Sequence, residues 1–283
     1  MQFGDISLHV ASVGSYRDDG GRLFGLVPKV LWEQVARPDE QNRLCVGMRC
    51  LLIQAGGQCI LVGAGCGHKP SAQQDSTEPE GGSRLLRELE RLGVGPQDVD
   101  LVVNTHLHTH HCGGNTMHGP DGTPVPTFPR AAYCVQRLEL ADAYLPNERT
   151  RAWYLEENIR PLERDGRLRV LYGDTRLTGH VRAIVTPGHT RAHQSVVIES
   201  AGHKALFLGD AASWPVHLER LSWVPAYDAE PLASIETKRN LARWAVETRA
   251  LLIFEQHPEI EAGYLHATER PERFRLEPVA ISA

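Results

Sequence analysis

Four histidines lie close together near the middle of the chain, at a point where a strand is expected to end. Of the 14 histidines in the sequence, His106, His108, His110 and His111 fall within six positions. The run 100–104 just before them is apolar and β-branched, which predicts a buried strand. On an extended backbone, side chains two residues apart point to the same side. His106, His108 and His110 are therefore expected to converge on one point, while His111 approaches from another direction.

This histidine cluster has the chemistry of a metal site. Neutral imidazole is a common ligand of zinc and of other transition metals. Four imidazoles at one strand end would repel one another on protonation, and a bound metal is the simplest reason to hold them together. Two other interpretations stay open from this stretch alone, namely a polar surface loop that happens to be rich in histidine and an adventitious metal trap.

Three later runs that resemble strands also end in a residue that could bind a metal. His189 lies in a Thr-Pro-Gly-His-Thr turn, Asp210 follows Leu-Gly, and His257 follows Glu-Gln. Gly188 and Gly209 precede two of these residues and leave room for a close approach. Asp210 could instead cap a turn, and His189 could be a structural turn histidine. Considered with the histidine cluster, ligands at the ends of several strands predict a metal pocket held by a sheet.

The elements around these residues predict a two-sheet α/β fold. Residues 45–54 and 58–62 form a predicted hairpin that turns at Gly56 and Gly57. Further strands are expected at 3–13, 99–104, 131–136, 168–172, 181–185, 195–199, 205–208 and 251–254. Helices are expected at 84–92, 138–144, 152–162 and 231–248, the last capped by Asp228. Strands thus come in two batches with helices between them, which fits a four-layer αββα sandwich. We expect the polar segment 69–82 to be mobile.

The charge and composition of the chain indicate which classes of partner and which compartment to expect. The chain of 283 residues carries a net charge of −5 and no basic stripe, so nucleic acid is not the expected partner. No apolar run approaches the ~20 residues of a membrane span, and no secretory signal is visible. The six cysteines form no Cys-x-x-Cys pair and mostly lie in apolar runs, which favours reduced thiols and a cytoplasmic protein. Cys112 follows His111 directly; we expect it to pack under the loop, with metal binding as the alternative.

The histidine cluster, the Thr186-Pro-Gly-His-Thr190 turn and Leu208-Gly-Asp210 occur in an order and spacing that resemble the metallo-β-lactamase-fold superfamily. The hairpin ending at Gly65 resembles its Leu-Val-Asp-Thr-Gly segment. Stretches such as 43–65 and 186–195 are most similar to the branch of acyl-homoserine lactonases and related lactone and organophosphate hydrolases. The resemblance covers nearly the whole chain, and it implies one αββα domain over residues 1–283.

The resemblance also implies roles for the candidate ligands. His106, His108 and His189 would hold a first metal. A second would be held by His111, Asp210 and a late histidine, with Asp210 bridging the two. The expected cofactor is zinc, as one or two ions, with iron or manganese as alternatives. A bridging water would lose a proton and attack an ester-like carbonyl or phosphorus. The expected partner is a small-molecule substrate, and a homodimer remains open.

Three positions depart from the superfamily pattern. His110 stands where the family has an aspartate in its histidine motif, and Gly63 stands for the aspartate of Leu-Val-Asp-Thr-Gly. Strict alignment puts Gln256 at the late ligand position and His257 one residue further. Because a neutral amide is a poor zinc ligand beside imidazole, we expect His257 to supply the ligand through a local bulge. We also expect His110 to fill the space beside Gly63, and we assign catalytic roles to His110 and Asp210.

These features support one leading function and two alternatives. The leading hypothesis is a metal-dependent hydrolase of a small ester, lactone or related substrate. The second is a protein of the same fold that binds a metal or a ligand but has little hydrolase activity, because His110 and Gln256 alter the second metal site. The third is redox chemistry at an iron site. It is the least favoured, since such relatives carry acidic ligands in the cluster and usually a flavin domain.

Overall fold

Two seven-stranded sheets form the centre of the molecule, in a computed structural model that describes residues 1–67 and 84–281. The polar segment 69–82 lies outside the described residues. The strands are β1 (Gln2–Phe3), β2 (Ile6–Asp19), β3 (Arg43–Ala55), β4 (Gln58–Val62), β5 (Leu101–Val103), β6 (Thr116–His118), β7 (Pro124–Pro126), β8 (Ala132–Gln136), β9 (Leu168–Leu171), β10 (Thr175–Arg176), β11 (Val181–Val185), β12 (Gln194–Ser200), β13 (His203–Phe207), β14 (Leu251–Ile253), β15 (Ala262–Ala267) and β16 (Phe274–Val279). The first sheet has the order β1-β2-β3-β4-β5-β8-β9 and the second runs in order from β10 to β16, while β6 and β7 form a separate pair.

The strands carry apolar side chains on both faces. The inner faces of the two sheets pack against each other, and the outer faces are also buried. In β4, Ile60 and Val62 point into the core between the sheets, whereas Cys59 and Leu61 point to the outer face of the first sheet. This alternation follows from the period of two along a strand. A strand that buries both faces needs a cover on its outer side, and helices provide it.

The helices lie on the outer faces. They are α1 (Gly20–Phe24), α2 (Lys29–Trp32), α3 (Arg84–Arg91), α4 (Thr109–Cys112), α5 (Arg137–Tyr144), α6 (Arg160–Arg164), α7 (Pro215–Glu219) and α8 (Pro231–Thr248). Leu85 and Leu89 of α3 pack against the first sheet, and Leu241 and Ala245 of α8 pack against the second. The layers are therefore α, β, β and α, and the predicted sandwich is confirmed. No helix in the described ranges is both long and apolar enough to cross a membrane.

The strand ends that carry the candidate ligands meet at one edge. Strands β11 and β13 are both antiparallel to β12, and β14 is parallel to β13, so these three strands end at the same edge of the second sheet. The loop after β5 of the first sheet reaches this edge, where the Gln194 backbone amide donates to the Thr105 carbonyl at 2.8 Å. Loops that lie far apart in the sequence therefore converge.

Two elements differ from their predictions for identifiable reasons. The helix expected over 152–162 is reduced to a 3₁₀ turn at Glu156–Asn158 and the short α6, because Pro161 is accommodated only in the first turn of a helix. Helix α8 has the predicted bounds, but Glu230 occupies its N-cap position and makes no side-chain cap bond. Asp228, the predicted cap, instead lies in the cluster described below.

Candidate metal centre

Five side chains converge where the two sheets meet, namely His106, His108 and His111 from the first sheet and His189 and Asp210 from the second. Within the described ranges, two sets have ligand atoms all within 4.8 Å of one another: His106, His108 and His189, and His106, His111 and Asp210. Asp210 Oδ2 lies 3.2 Å from His111 Nε2 and 3.3 Å from His189 Nε2. His189 Nε2 also lies 3.0 Å from His108 Nδ1. The arrangement is one compact centre with two overlapping sets of donors.

A change of backbone conformation decides which histidines enter this centre. The chain is extended at His108 and then turns into α4 (Thr109–Cys112), with the Thr109 amide donating to the Trp153 carbonyl at 2.9 Å. The expected alternation therefore stops at His108. In a helical turn, residues three apart lie on the same side, so His111 joins His108 in the centre. His110 belongs to neither donor set among the described residues and stacks on the ring of Tyr16 at a centroid distance of 4.7 Å.

The centre contains buried polar atoms that lack a hydrogen-bond partner among the described residues. These atoms are His106 Nε2, His108 Nε2 and Asp210 Oδ1. Buried polar atoms are otherwise nearly always paired, because an unpaired one costs free energy. Several imidazole nitrogens and one carboxylate are also the donor set that zinc and related divalent cations prefer. The residues therefore fit a metal ion.

The protonation states of the donors suit this chemistry. Burial lowers the pKa of His106 and His108 well below the usual range, so both rings are neutral and offer a lone pair. Burial opposes the ionisation of Asp210, but the neighbouring His111 and His189 lower its pKa, so the carboxylate is anionic. Burial opposes the charged forms of His111 and His189, but the neighbouring carboxylates, Asp210 first, raise the pKa of both rings, so a cation bound there would displace a proton from each.

Two carboxylates outside the donor set contact two of its rings. Asp228 Oδ1 lies 3.1 Å from His189 Nδ1, and its other oxygen accepts a 2.6 Å hydrogen bond from Ser234. Glu255 Oε1 lies 2.7 Å from His111 Nδ1. A carboxylate at Nδ1 leaves Nε2 free to bind a metal. Neither residue was predicted in this role, because no local sequence signal shows which ring a distant carboxylate will contact.

Glu139, fully buried on α5, connects two loops of the centre. Its Oε1 accepts hydrogen bonds from the Leu107 backbone amide at 2.9 Å and from the Tyr154 hydroxyl at 3.1 Å. Its Oε2 accepts from the Thr190 hydroxyl at 2.5 Å. Leu107 lies between two candidate ligands, and Thr190 follows a third. Burial raises the pKa of Glu139, and the three hydrogen bonds offset part of that effect.

We expect Glu139→Gln to lower the free energy of unfolding by about 1–3 kcal/mol, because the amide nitrogen cannot accept one of these hydrogen bonds. Urea unfolding followed by circular dichroism measures the change. The matched control is Asp142→Asn on the same helix, whose carboxylate pairs with Arg191 near the surface and is expected to contribute less than about 1 kcal/mol. Equal effects of the two substitutions would contradict a linking role for Glu139.

The late segment presents Gln256 rather than His257 to the centre. Gln256 Nε2 lies 3.2 Å from His111 Nε2. His257 faces away: its Nδ1 accepts a 2.8 Å hydrogen bond from the Ile260 amide, and its ring lies 4.8 Å from that of Trp214. The expectation of a bulge that turns His257 inward is thus contradicted, because the backbone carries Gln256 inward and the next side chain outward.

The proposed link between His110 and Gly63 also needs correction. A Cβ atom built on Gly63 would lie 3.7 Å from Glu255 Oε1 and 3.8 Å from Cys50 Sγ, so Glu255 is the nearest side chain at this position. His110 is instead partly buried against Tyr16, and burial lowers its pKa to about 4. Cys112 packs under the loop as expected, with its thiol on the Leu107 carbonyl at 3.2 Å.

The centre opens to solvent through two connected cavities. The inner one is narrow and is lined by four of the donor residues and by Tyr16, His110 and Gln256; the four donors are His108, His111, His189 and Asp210. The outer one has a volume of about 490 Å³ and combines aromatic and apolar walls with three arginines: Trp153, Tyr154, Tyr227, Leu145, Pro146, Arg22, Arg149 and Arg191. Arg22, His108, Trp153, His189 and Tyr227 line both cavities, so a molecule in the outer cavity would reach the donors directly.

Comparisons with known proteins agree with this geometry. A model of the metallo-beta-lactamase superfamily matches residues 48–242. An N-acyl homoserine lactonase from a Bacillus species is 29% identical over 181 residues, which is 64% of this chain and 64% of that protein. The N-acyl homoserine lactonase AttM from Rhizobium radiobacter is 28% identical over 190 residues, covering 64% of this chain and 67% of that protein. The chain therefore matches just under two thirds of the first relative's length.

Solved structures with this fold align over almost the full chain. A structure described as a probable metal-dependent hydrolase from Staphylococcus aureus has a TM-score of 0.87 at 26% identity, covering 99% of this chain and 100% of that one. AidC, a dizinc quorum-quenching lactonase in complex with a product, has a TM-score of 0.81 at 17% identity, covering 100% of this chain and 97% of that one. The superfamily match over most of the chain agrees with the fold, and the similarity to N-acyl homoserine lactonases agrees with the branch that the sequence pattern indicated. The chain belongs to the metallo-β-lactamase superfamily.

Proposed function

We propose that this protein is a metal-dependent hydrolase that opens a small ester or lactone with water. The observation that carries the proposal is the convergence of four buried histidine rings and Asp210 at the floor of an open cavity, where His106 Nε2 and His108 Nε2 have no hydrogen-bond partner among the described residues. The donor set supports a divalent cation, and zinc is the ion we favour. His106, His108 and His189 would hold one ion, and His111 would hold a second, with Asp210 facing both sets. A bound divalent cation supplies Lewis-acid polarisation of the carbonyl and lowers the pKa of a water molecule.

The chain's own residues would position the substrate and move its protons. Asp210 is anionic and can accept a proton from the attacking water. His110 is neutral at physiological pH, so it can accept a hydrogen bond where an aspartate would add a negative charge. Burial raises the pKa of Tyr227, whose phenol therefore stays protonated and can donate a hydrogen bond to the oxygen that becomes negative. The reaction adds water to the carbonyl carbon, breaks the ester C–O bond and returns a proton to the leaving oxygen.

The outer cavity indicates the kind of substrate. Trp153, Tyr154 and Tyr227 provide flat apolar walls, and the Arg22 guanidinium lies 4.8 Å from the centre of the Trp153 ring. Such a cavity suits a compact polar ring that carries an apolar chain. The relatives are named as lactonases of N-acyl homoserine compounds, and we propose substrates of the same class: lactones with an amide-linked acyl chain.

A second candidate function is metal or ligand binding with little hydrolysis. The observation that favours it is the late segment, where a neutral amide at Gln256 faces His111 and the nearby His257 faces away. A second ion would then have fewer strong donors than the first. Under this alternative the protein would take up metal and bind a lactone without opening it.

We expect the purified protein to contain zinc or a related divalent metal and to hydrolyse at least one acyl lactone, with activity lost on chelation and restored by metal. The measurement combines elemental analysis with a panel of lactone, aryl ester, phosphotriester and β-lactam substrates. A metal-loaded protein that binds but does not turn over any of these would favour the second candidate. A protein that takes up no metal would overturn both.

A further inference from the structure

The buried Glu255 carboxylate in the late segment contacts a donor ring of the centre, His111. Glu255 follows β14 and is only 2% exposed. Its Oε1 contacts His111 Nδ1 at 2.7 Å, which is the shorter of the two contacts between a ring nitrogen in the centre and a carboxylate outside the donor set. Its Oε2 is buried and makes no hydrogen bond to the described protein atoms. The carboxylate is therefore held mainly through His111.

Gly63 leaves room for this carboxylate. The glycine follows β4 on the first sheet, and a Cβ atom built on it would point toward Glu255 Oε1 at 3.7 Å. An acidic side chain at position 63 would thus project into the space that Glu255 fills from the second sheet. Two carboxylates in that space would repel each other. The space therefore accommodates one carboxylate, supplied either from position 63 or from position 255.

We infer that Glu255 is a positioning residue that orients His111 for metal binding, and that it supplies from the second sheet the carboxylate that Gly63 omits from the first. This inference rests on the proposed metal centre and deepens it. The carboxylate at Nδ1 holds the ring so that Nε2 lies 3.2 Å from Asp210 Oδ2, where it could bind a cation shared with Asp210. The same contact prevents the ring from rotating away from the centre.

The charge of Glu255 adds a second reason for its presence. A buried carboxylate without a cation nearby is costly. Removing Glu255 should therefore weaken metal binding by more than the loss of one hydrogen bond to a neutral partner would do. Replacing it with glutamine keeps the shape and a weaker acceptor, so the loss should be smaller.

The test measures zinc affinity of the full-length protein by competition with a chromophoric chelator, with elemental analysis of the bound metal. We expect Glu255→Ala to weaken the affinity at the site that contains His111 by about 10–100-fold, and Glu255→Gln to weaken it less. The control is Glu259→Gln, an exposed carboxylate of the same segment, which is expected to leave the affinity unchanged. Folding of each variant is checked by circular dichroism, and Glu255→Gln carries the test if Glu255→Ala does not fold.

A rescue experiment tests whether a carboxylate at position 63 can replace the one at position 255. The variant Gly63→Asp/Glu255→Ala returns a carboxylate to the same space, and Gly63→Ala/Glu255→Ala has the same backbone strain at a φ of +74° without the charge. We expect the aspartate variant to bind zinc about tenfold more tightly than its alanine counterpart, as coupled neighbours should.

Each outcome decides the inference. If Glu255→Ala binds zinc as tightly as the parent, or if the two double variants are equal, the inference is overturned while the proposed metal centre stands. A parent protein that takes up no zinc would overturn the proposed function and this inference together.

Discussion

Replacing His106 and His108 together by alanine is expected to remove the tightly bound metal and to reduce hydrolysis by at least about 1,000-fold. The two rings contribute buried nitrogens that no atom of the described residues satisfies, and they belong to the donor set shared with His189. Lewis-acid stabilisation is worth several kcal/mol in the transition state, and about 1.4 kcal/mol corresponds to a factor of ten in rate. Elemental analysis and kcat/KM on the best lactone of the panel measure the two effects.

The matched control for this pair is His118→Ala/His203→Ala. Both of these histidines are exposed and lie outside the centre, so the control removes the same number of imidazoles from the protein. It is expected to retain both metal and activity. If the His106→Ala/His108→Ala variant keeps the metal content of the parent, the centre has been assigned to the wrong residues.

Asp210→Asn is expected to lower kcat/KM by about 10²–10⁴-fold, which is the range for loss of a general acid or base. The substitution preserves shape but removes the negative charge that lies 3.2 Å from His111 Nε2 and 3.3 Å from His189 Nε2. Because Asp210 faces both donor sets, the variant should also bind less metal per chain. Asp121→Asn in an exposed loop is the control, with no change expected. Activity within about tenfold of the parent, at full metal content, would remove Asp210 from the mechanism.

The sequence was most informative where a candidate ligand directly follows a strand. His106, His108, His189 and Asp210 lie in the centre because apolar, β-branched runs fix the strands, and the strand ends then fix the loops. The rule of alternating side chains worked as far as His108. It failed at the next residue because the Trp153 carbonyl accepts the Thr109 amide and a helical turn begins, a contact between segments that no local pattern reveals.

The late segment illustrates the same limit. Whether Gln256 or His257 faces the centre depends on how the backbone is held. The Gly47 amide donates to the Gln256 carbonyl at 2.8 Å, and the buried Arg49 donates to the carbonyls of His257 and Pro258. These bonds come from β3, some 200 residues earlier in the chain. The charges of Asp228 and Glu255 are equally visible in the sequence, but their contacts with ring nitrogens exist only in the folded protein.

The meeting of the two sheets at one edge has a further consequence for folding. All strands of the first sheet precede Gly173, and all strands of the second follow it, so the donors His106, His108 and His111 belong to one half of the chain and His189 and Asp210 to the other. An ion shared by these donors would act as a reversible crosslink between the two halves. Because the unfolded chain does not hold the donors together, each tenfold rise in free metal above its dissociation constant would add about 1.4 kcal/mol of resistance to unfolding. The supply of metal would then regulate how long the protein survives as well as how fast it works.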